Sequence, residues 1–120
     1  MIRLTALLAV AATALALVAS IGAAPTATVK LTGAVGPGET ITLKKGSARV
    51  ATLKRGRYMI VVNDRSDEHN FRLRGPGVNK QITGIAATGT KSVTVNLKPG
   101  RYTYVCDPHA GDMKGSFRVK

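Results

Sequence analysis

Short runs rich in Val, Ile, Thr and Tyr, interrupted by Gly, Pro and Asn, occupy the chain from about Ala27 onward. Apolar residues recur in these runs at a spacing of two, whereas no window shows the spacing of three and four that an amphipathic helix requires. Alternation at a spacing of two places the apolar side chains on one face of a strand. The sequence therefore predicts an all-β domain.

Eight strands are predicted, separated by turn residues. They are expected near 27–33, 40–45, 57–63, 69–74, 79–85, 91–97, 101–106 and 115–120. Seven or eight strands at this spacing predict a sandwich or a barrel. Val93, Val95 and Leu97 share one face, as in a half-buried strand. The nearly continuous apolar run from Tyr58 to Val62 predicts a strand in the middle of a sheet, covered on both faces.

The start of the chain differs in composition from the rest. One cation, Arg3, precedes an apolar run over residues 6–21 that contains no charge, and small residues follow. This order predicts a signal peptide over residues 1–24 and an exported domain over residues 25–120, in the periplasm or secreted. The alternative is an uncleaved membrane anchor, because about 20 apolar residues span a bilayer. A length of 120 residues leaves room for one folded domain.

The charge balance is strongly basic. The chain has 18 Lys and Arg residues against 6 Asp and Glu, a formal net charge of +12. This excess predicts attraction to acidic surfaces, and an acidic redox partner is expected for a monomeric domain. Nucleic acid is not an expected partner, because export argues against it and strand parity buries several of the few aromatic residues that could stack on bases. Contact with a membrane is expected only through an uncleaved leader.

Cys106 is the only cysteine of the chain. An odd cysteine in an exported protein indicates an intermolecular bond, a reactive thiol or a metal ligand. The segment from Cys106 to Met113 places a thiolate, the imidazole of His109 and a thioether within a short loop. Strand parity turns Cys106 toward the core together with two tyrosines. It also turns His69 toward the core at the start of another strand.

These side chains have ordinary structural explanations when each is taken alone, since Cys and Met are common in cores and a single His is often only hydrogen-bonded. Their combination favours a metal site. Sulfur and imidazole nitrogen form a donor set suited to copper, whereas zinc usually takes four strong ligands. The predicted site binds one copper ion, Cu(I) or Cu(II), through His69, Cys106, His109 and Met113.

The chain resembles the cupredoxin family, the relatives of plastocyanin and azurin. The resemblance is carried by the segment from Leu97 to His109, by His69-Asn70, and by Met113 with the final strand that follows it. It implies a Greek-key β-sandwich with a type 1 blue-copper site, in which the upstream His, the Cys and the second His are ligands and the Met is the axial ligand.

The resemblance also assigns supporting roles. Asn70 is expected to tie the two ligand loops together by hydrogen bonds, and Tyr102 to pin the loop before the last strands. Asp107 departs from the family pattern, because a Ser or Thr often follows the Cys, and the change is expected to alter hydrogen bonding near the sulfur. Three residues separate His109 from Met113, a spacing between those of plastocyanin-like and amicyanin-like chains.

The function predicted from this resemblance is the transfer of single electrons between redox partners, through the exposed edge of His109. Cations outside the site are expected to steer an acidic partner, and they include Arg72, Arg74, Lys80, Lys114 and Arg118. Two alternatives are a copper carrier or buffer of the cell envelope and a basic module that binds acidic surfaces. An enzyme is not expected, because no third group is evident to orient a thiol and imidazole pair.

Overall fold

The structure is a computed structural model, and it describes residues 13–18, 22 and 27–120. The predicted signal peptide over residues 1–24 lies outside the described residues except for 13–18 and 22, which belong to no helix or strand. Within the described parts of the chain, no helix is both long enough and apolar enough to cross a membrane.

Ten strands and one short 3-10 turn, Asp107–His109, form the domain. The strands are, in chain order, β1 (Val29–Val35), β2 (Ile41–Lys45), β3 (Ala48–Arg49), β4 (Thr52–Leu53), β5 (Gly56–Asp64), β6 (Phe71–Gly75), β7 (Val78–Thr83), β8 (Gly89–Leu97), β9 (Gly100–Val105) and β10 (Lys114–Val119). The eight predicted strands are confirmed, with ends that differ by no more than about two residues, as is usual for such boundaries. The two strands that were not predicted, β3 and β4, contain two residues each.

The strands form two five-stranded sheets in the orders β3-β2-β1-β5-β8 and β4-β10-β9-β6-β7. β1 is parallel to β5 and β4 is parallel to β10, whereas the neighbouring pairs β5–β8, β6–β9 and β9–β10 are antiparallel. Apolar residues from both sheets form one core between them. The predicted all-β sandwich is therefore confirmed.

The strand β5 lies between β1 and β8, so its predicted position inside a sheet is confirmed. Tyr58, Ile60 and Val62 are buried in the core, as the alternation requires. Met59 and Val61, on the other face, are only half-buried. The prediction that both faces are covered is wrong, because the described residues place no second layer over the outer face of this sheet.

Stacked aromatic rings hold together the strands of the second sheet. The rings of Phe71 and Tyr104 lie 5.6 Å apart between centroids, and those of Tyr102 and Phe117 lie 5.3 Å apart. Such pairs contribute about 0.5–1.5 kcal/mol beyond the apolar area that they bury. Because the four rings come from β6, β9 and β10, they fix the ends of β6 and β9 relative to each other.

Tyr102 joins two turns of the sandwich, as the resemblance implied. Its buried hydroxyl accepts a hydrogen bond from the Lys98 N–H at 3.0 Å. The same hydroxyl lies 3.1 Å from the carbonyl oxygens of Pro76 and Lys98, to either of which it can donate. The turn between β8 and β9 is thereby held against the turn between β6 and β7.

Strand direction divides the loops between two ends of the sandwich. One end, called the site end below, gathers the loops of residues 36–40, 65–70, 84–88 and 106–113. The opposite end gathers the start of β1 and the turns at residues 46–47, 54–55, 76–77 and 98–99. All four predicted ligands lie in loops of the site end, and Met113 closes the loop of residues 106–113.

Candidate metal centre

His69 lies in the loop that precedes β6, and only 4% of its surface is exposed. Phe71 and Leu73, two and four residues further on, are also buried. Alternate residues of an extended chain point to the same side, so His69 points toward the core like Phe71 and Leu73. The predicted inward direction of His69 is therefore confirmed, although the residue lies before the strand rather than in it.

Cys106 directly follows β9 and is fully buried, on the same parity as Tyr102 and Tyr104. The chain then enters the 3-10 turn, in which the His109 N–H donates a hydrogen bond to the Cys106 carbonyl at 3.1 Å. Pro108 suits such a turn, because its fixed backbone angle is already helical. The turn returns the imidazole of His109 to the side of the Cys106 thiol.

The predicted convergence of three donor atoms is present in the structure. The Nδ1 atoms of His69 and His109 are 3.0 Å apart, and the Sγ atom of Cys106 lies 3.6 Å and 3.7 Å from them. A point in the plane of these atoms lies about 2.0 Å from each, close to the ~2.0–2.1 Å of metal–nitrogen and ~2.3 Å of metal–sulfur bonds. One ion can therefore contact all three donors.

The chemistry of the donors agrees with this geometry. Two imidazole nitrogens and a sulfur that face one another at 3.0–3.7 Å bring their lone pairs together, an arrangement that a shared cation stabilises. The imidazole planes are inclined at 75°, so both Nδ1 atoms face the thiol without ring stacking. Among the described residues, no carboxylate joins the group of metal-ligating side chains. Such a set suits copper and is a poor match for ions that prefer oxygen.

Met113 closes the ligand loop. The Cys106 N–H donates to the Met113 carbonyl at 3.0 Å, and the Met113 N–H donates to the His109 carbonyl at 2.8 Å. Only 1% of the Met113 surface is exposed, and its side chain belongs to the core. The three-residue spacing from His109 is thus accommodated by one helical turn that returns Met113 to Cys106. Coordination by its thioether stays a prediction.

The three donors differ in their access to solvent. Cys106 and His69 are buried, whereas 32% of the His109 side chain is exposed. The outward nitrogen of His109, Nε2, lies 3.8 Å from a carboxylate oxygen of Glu39. The predicted shielding of Cys106 and His69, with an exposed edge on His109, is confirmed.

Asn70 and Asp107 tie the two ligand loops together. The Asp107 N–H donates to the Asn70 side-chain oxygen at 2.7 Å, and the Asn70 side-chain nitrogen donates to the Asp107 carboxylate at 2.8 Å. Each of these residues directly follows a candidate ligand, His69 or Cys106. The tie therefore fixes the distance between the imidazole and the thiol, as was expected of Asn70.

Two arginines that the sequence assigned to partner steering also bind the carboxylate of Asp107. Arg72 donates through Nε to the Asp107 carboxylate at 2.8 Å, and Arg74 donates through a terminal nitrogen at 3.3 Å. Both side chains leave β6 on the outer face, as parity predicted, and the single charge of Asp107 offsets one of their two positive charges. Alternation cannot show this contact, because it depends on β6 lying beside β9. The sequence gives one indication of this contact, the acidic residue Asp107 directly after Cys106.

The ionisation of Asp107 reflects these neighbours. Partial burial of the carboxyl raises its pKa, but the hydrogen bonds from Arg72 and Asn70 and the charges of Arg72 and Arg74 outweigh that effect. The net result is a pKa below the ordinary value of 3.8. The carboxylate is therefore ionised at neutral pH and available as an acceptor for all three donors.

Substitution of Asp107 tests its role in holding the loops. Asp107→Ala removes the acceptor for Asn70, Arg72 and Arg74, and we expect the free energy of unfolding in urea to fall by about 1–3 kcal/mol. Because the native pKa is lowered, the stabilisation is fully present above the ordinary pKa and is lost as the pH falls through the native pKa. The difference from the parent chain should therefore shrink in acid.

Asp112→Ala is the matched control, because Asp112 is an exposed acid of the same loop. Its side chain makes no hydrogen bond to any described residue, so its removal should change the free energy of unfolding by less than about 0.5 kcal/mol. Equal losses in the two variants would show that Asp107 acts only through net charge.

A family of known proteins matches most of the chain. Residues 34–120 match the sequence model of the copper-binding proteins of the plastocyanin/azurin family. No curated protein matches the sequence closely enough to be counted as a relative.

Solved structures of rusticyanin share the fold. The copper protein rusticyanin is 18% identical, with a TM-score of 0.56 over 78% of each chain. Reduced rusticyanin is 22% identical, with a TM-score of 0.55 over 78% of this chain and 79% of that chain. Rusticyanin from Thiobacillus ferrooxidans is 21% identical, with a TM-score of 0.53 over 78% of this chain and 77% of that chain. At these identities the likeness concerns the fold alone.

Proposed function

Since this chain belongs to the plastocyanin/azurin family of copper-binding proteins, we propose that it carries single electrons at a copper site formed by His69, Cys106 and His109. The observation that carries the proposal is the triangle of donor atoms, with edges of 3.0, 3.6 and 3.7 Å. Copper bound there would supply the one-electron couple between Cu(I) and Cu(II). We propose Met113 as the weak axial ligand of the same site.

Hydrogen bonds within the protein hold the ligand loops in place without an ion. Backbone hydrogen bonds close the loop from Cys106 to Met113, and the side chain of Asn70 fixes it against the loop of His69. A rigid set of donors keeps one geometry, and electron transfer benefits when ligands move little between the two oxidation states. The residues around the site thus favour a carrier of electrons.

The solvent exposure of the three donors favours electron transfer over copper storage. A buffer must give its ion to a chelator or to another protein, which requires incoming ligands to reach the donors. Cys106 is fully buried and His69 nearly so, and only the His109 side chain is substantially exposed. An electron can cross the ring of His109, whereas an incoming ligand that must reach the sulfur is excluded.

We propose that redox partners dock on the site end, over His109. Ala110 and Gly111 leave a small exposed surface beside the ring, which suits the limited interface of a transient redox complex. Asp107 offsets only one of the two charges of Arg72 and Arg74, so these residues together with the other cations would attract an acidic partner. In accord with the leader-like first residues, we propose that this exchange takes place outside the cytoplasm.

A titration of the protein with Cu(II) tests the proposed site. We expect one equivalent of copper to produce an intense visible absorption band from thiolate-to-copper charge transfer, because Sγ of Cys106 lies within reach of an ion shared with both imidazoles. The band should disappear in Cys106→Ser and should bleach and return when an electron donor and an oxidant are added in turn.

A faint band in the folded parent chain, checked by circular dichroism, would contradict the proposed ligand set. An intense band combined with rapid loss of Cu(I) to a soluble chelator would instead support a copper buffer.

Paired methionine substitutions test the axial ligand. We expect Met113→Leu to keep the intense band and to raise the reduction potential, because losing a donor destabilises Cu(II) more than Cu(I). Met59→Leu is the control, since Met59 lies half-buried on β5 in the other sheet. Cyclic voltammetry measures the reduction potential of each variant. Equal potentials for the two variants would show that the Met113 thioether does not act on the copper.

A further inference from the structure

The acidic residues of the domain are confined to one of its two ends, whereas cations lie at both. The six acidic residues of the chain all lie in or beside the loops of the site end. They are Glu39, Asp64, Asp67, Glu68, Asp107 and Asp112. The opposite end therefore carries cations without an acidic residue among the described residues.

Four of these cations line one cleft at the opposite end. Lys45, Lys54, Arg55 and Arg57 surround a space of about 400 Å³. All four side chains belong to exposed residues, and none takes part in a salt bridge among the described residues. Arg55 Nε donates to the Lys120 oxygen at 3.4 Å, but among the described residues no Asp or Glu side chain pairs with any of the four cations. An external anion can therefore act as the partner of the cleft.

The backbone that carries these cations is fixed. The Tyr58 hydroxyl, on a buried side chain, donates to the Lys54 carbonyl at 2.6 Å. The Arg55 N–H donates to the Lys120 oxygen at 2.8 Å, which joins this crossing between the sheets to the end of β10. The cations are thus presented together on a stable frame.

We propose that the cleft and the cations around it bind the anionic headgroups of a lipid bilayer, so that the site end faces away from the membrane. The apolar side chains that line the cleft, Val29, Leu53 and Tyr58, are buried or half-buried, so the exposed part of its lining is mainly cationic. The exposed large apolar residues of the described chain, Leu15, Leu17, Val18 and Ile85, do not line it. Protein interfaces usually depend on aromatic or apolar anchors, whereas headgroup phosphates require only positive charge.

The path of the chain supports this orientation. Ala27 lines the cleft, and β1 begins two residues later at the opposite end. The uncharged apolar run ends at Ile21, six residues earlier, a distance that the chain spans in about 20 Å at most. Where that run remains attached and enters a bilayer, the cleft is the part of the domain that it holds near the headgroups.

Docking through this end leaves the candidate metal centre accessible. β5 runs from the cleft to the site end in 9 residues, a length of roughly 26 Å. His109 would then face the aqueous phase, where a redox partner diffuses. The proposal does not depend on copper, because the cations lie on residues outside the metal centre.

Vesicle binding tests the proposal on residues 27–120, which contain all ten strands and the whole core of the described chain. The shortened chain excludes insertion of the apolar run. We expect it to sediment with vesicles that contain phosphatidylglycerol and phosphatidylcholine and not with vesicles of phosphatidylcholine alone. Added salt should release it from the mixed vesicles. Failure to bind the mixed vesicles, or binding to soluble polyaspartate in their place, would overturn the proposal.

Matched double variants separate the cleft from net charge. Lys54→Gln with Arg57→Gln should weaken vesicle binding roughly 25-fold, because each cation at an anionic surface contributes about fivefold. Arg65→Gln with Lys91→Gln removes the same charge from exposed positions at the site end, and we expect a change below about threefold. Equal losses in the two variants would overturn the role of the cleft.

A fluorescence measurement reports orientation independently of affinity. The chain has no Trp, so one introduced Trp is its only indole fluorophore. Ala48→Trp lies at the opposite end and Ala87→Trp at the site end, both at exposed positions. On vesicles with brominated lipid chains we expect stronger quenching at position 48. Equal quenching, or stronger quenching at position 87, would overturn the proposed orientation.

Discussion

The contact between Asn70 and Asp107 is the interaction on which the candidate metal centre depends. Two hydrogen bonds, of 2.7 and 2.8 Å, join loops that belong to distant parts of the sequence. Each partner directly follows a candidate ligand, so small changes in this contact move an imidazole relative to the thiol. Arg72 and Arg74 strengthen the contact, because they neutralise a carboxylate that would otherwise be partly buried with one neutral partner.

Strand parity explains why much of this centre is predictable from sequence. Phe71 and Leu73 fix the inward direction that His69 shares, and Tyr102 and Tyr104 do the same for Cys106. Spacing also shows that Cys106, His109 and Met113 share one loop. The all-β class follows from the same alternation. The strand ends are predicted to within about two residues because Gly, Pro and Asn mark the turns between the runs.

Features that depend on which strands are neighbours are not predictable in this way. The pairing of Arg72 and Arg74 with Asp107 requires β6 to lie beside β9. The half-exposed outer face of β5 reflects the lack of a covering layer among the described residues, which an apolar run such as Met59 to Val61 does not reveal. The two-residue strands β3 and β4 are too short to show a period.

The separation of charge gives the two ends of the sandwich different chemistry. The site end combines buried donors, one exposed imidazole edge and all the acidic residues, whereas the opposite end presents cations around the entry of the chain. A net charge of +12 therefore does not describe a uniformly basic protein. It describes a domain with one end that we propose for redox contact and another that we propose for an anionic surface.

X-ray absorption at the copper edge, recorded on the loaded protein in both oxidation states, tests the central claim most directly. The account predicts two nitrogen ligands near ~2.0 Å and one short sulfur bond in both states, because the ligand loops are held by contacts that do not involve the ion. A spectrum without a short sulfur contact, or a ligand set that changes between the two states, would contradict it.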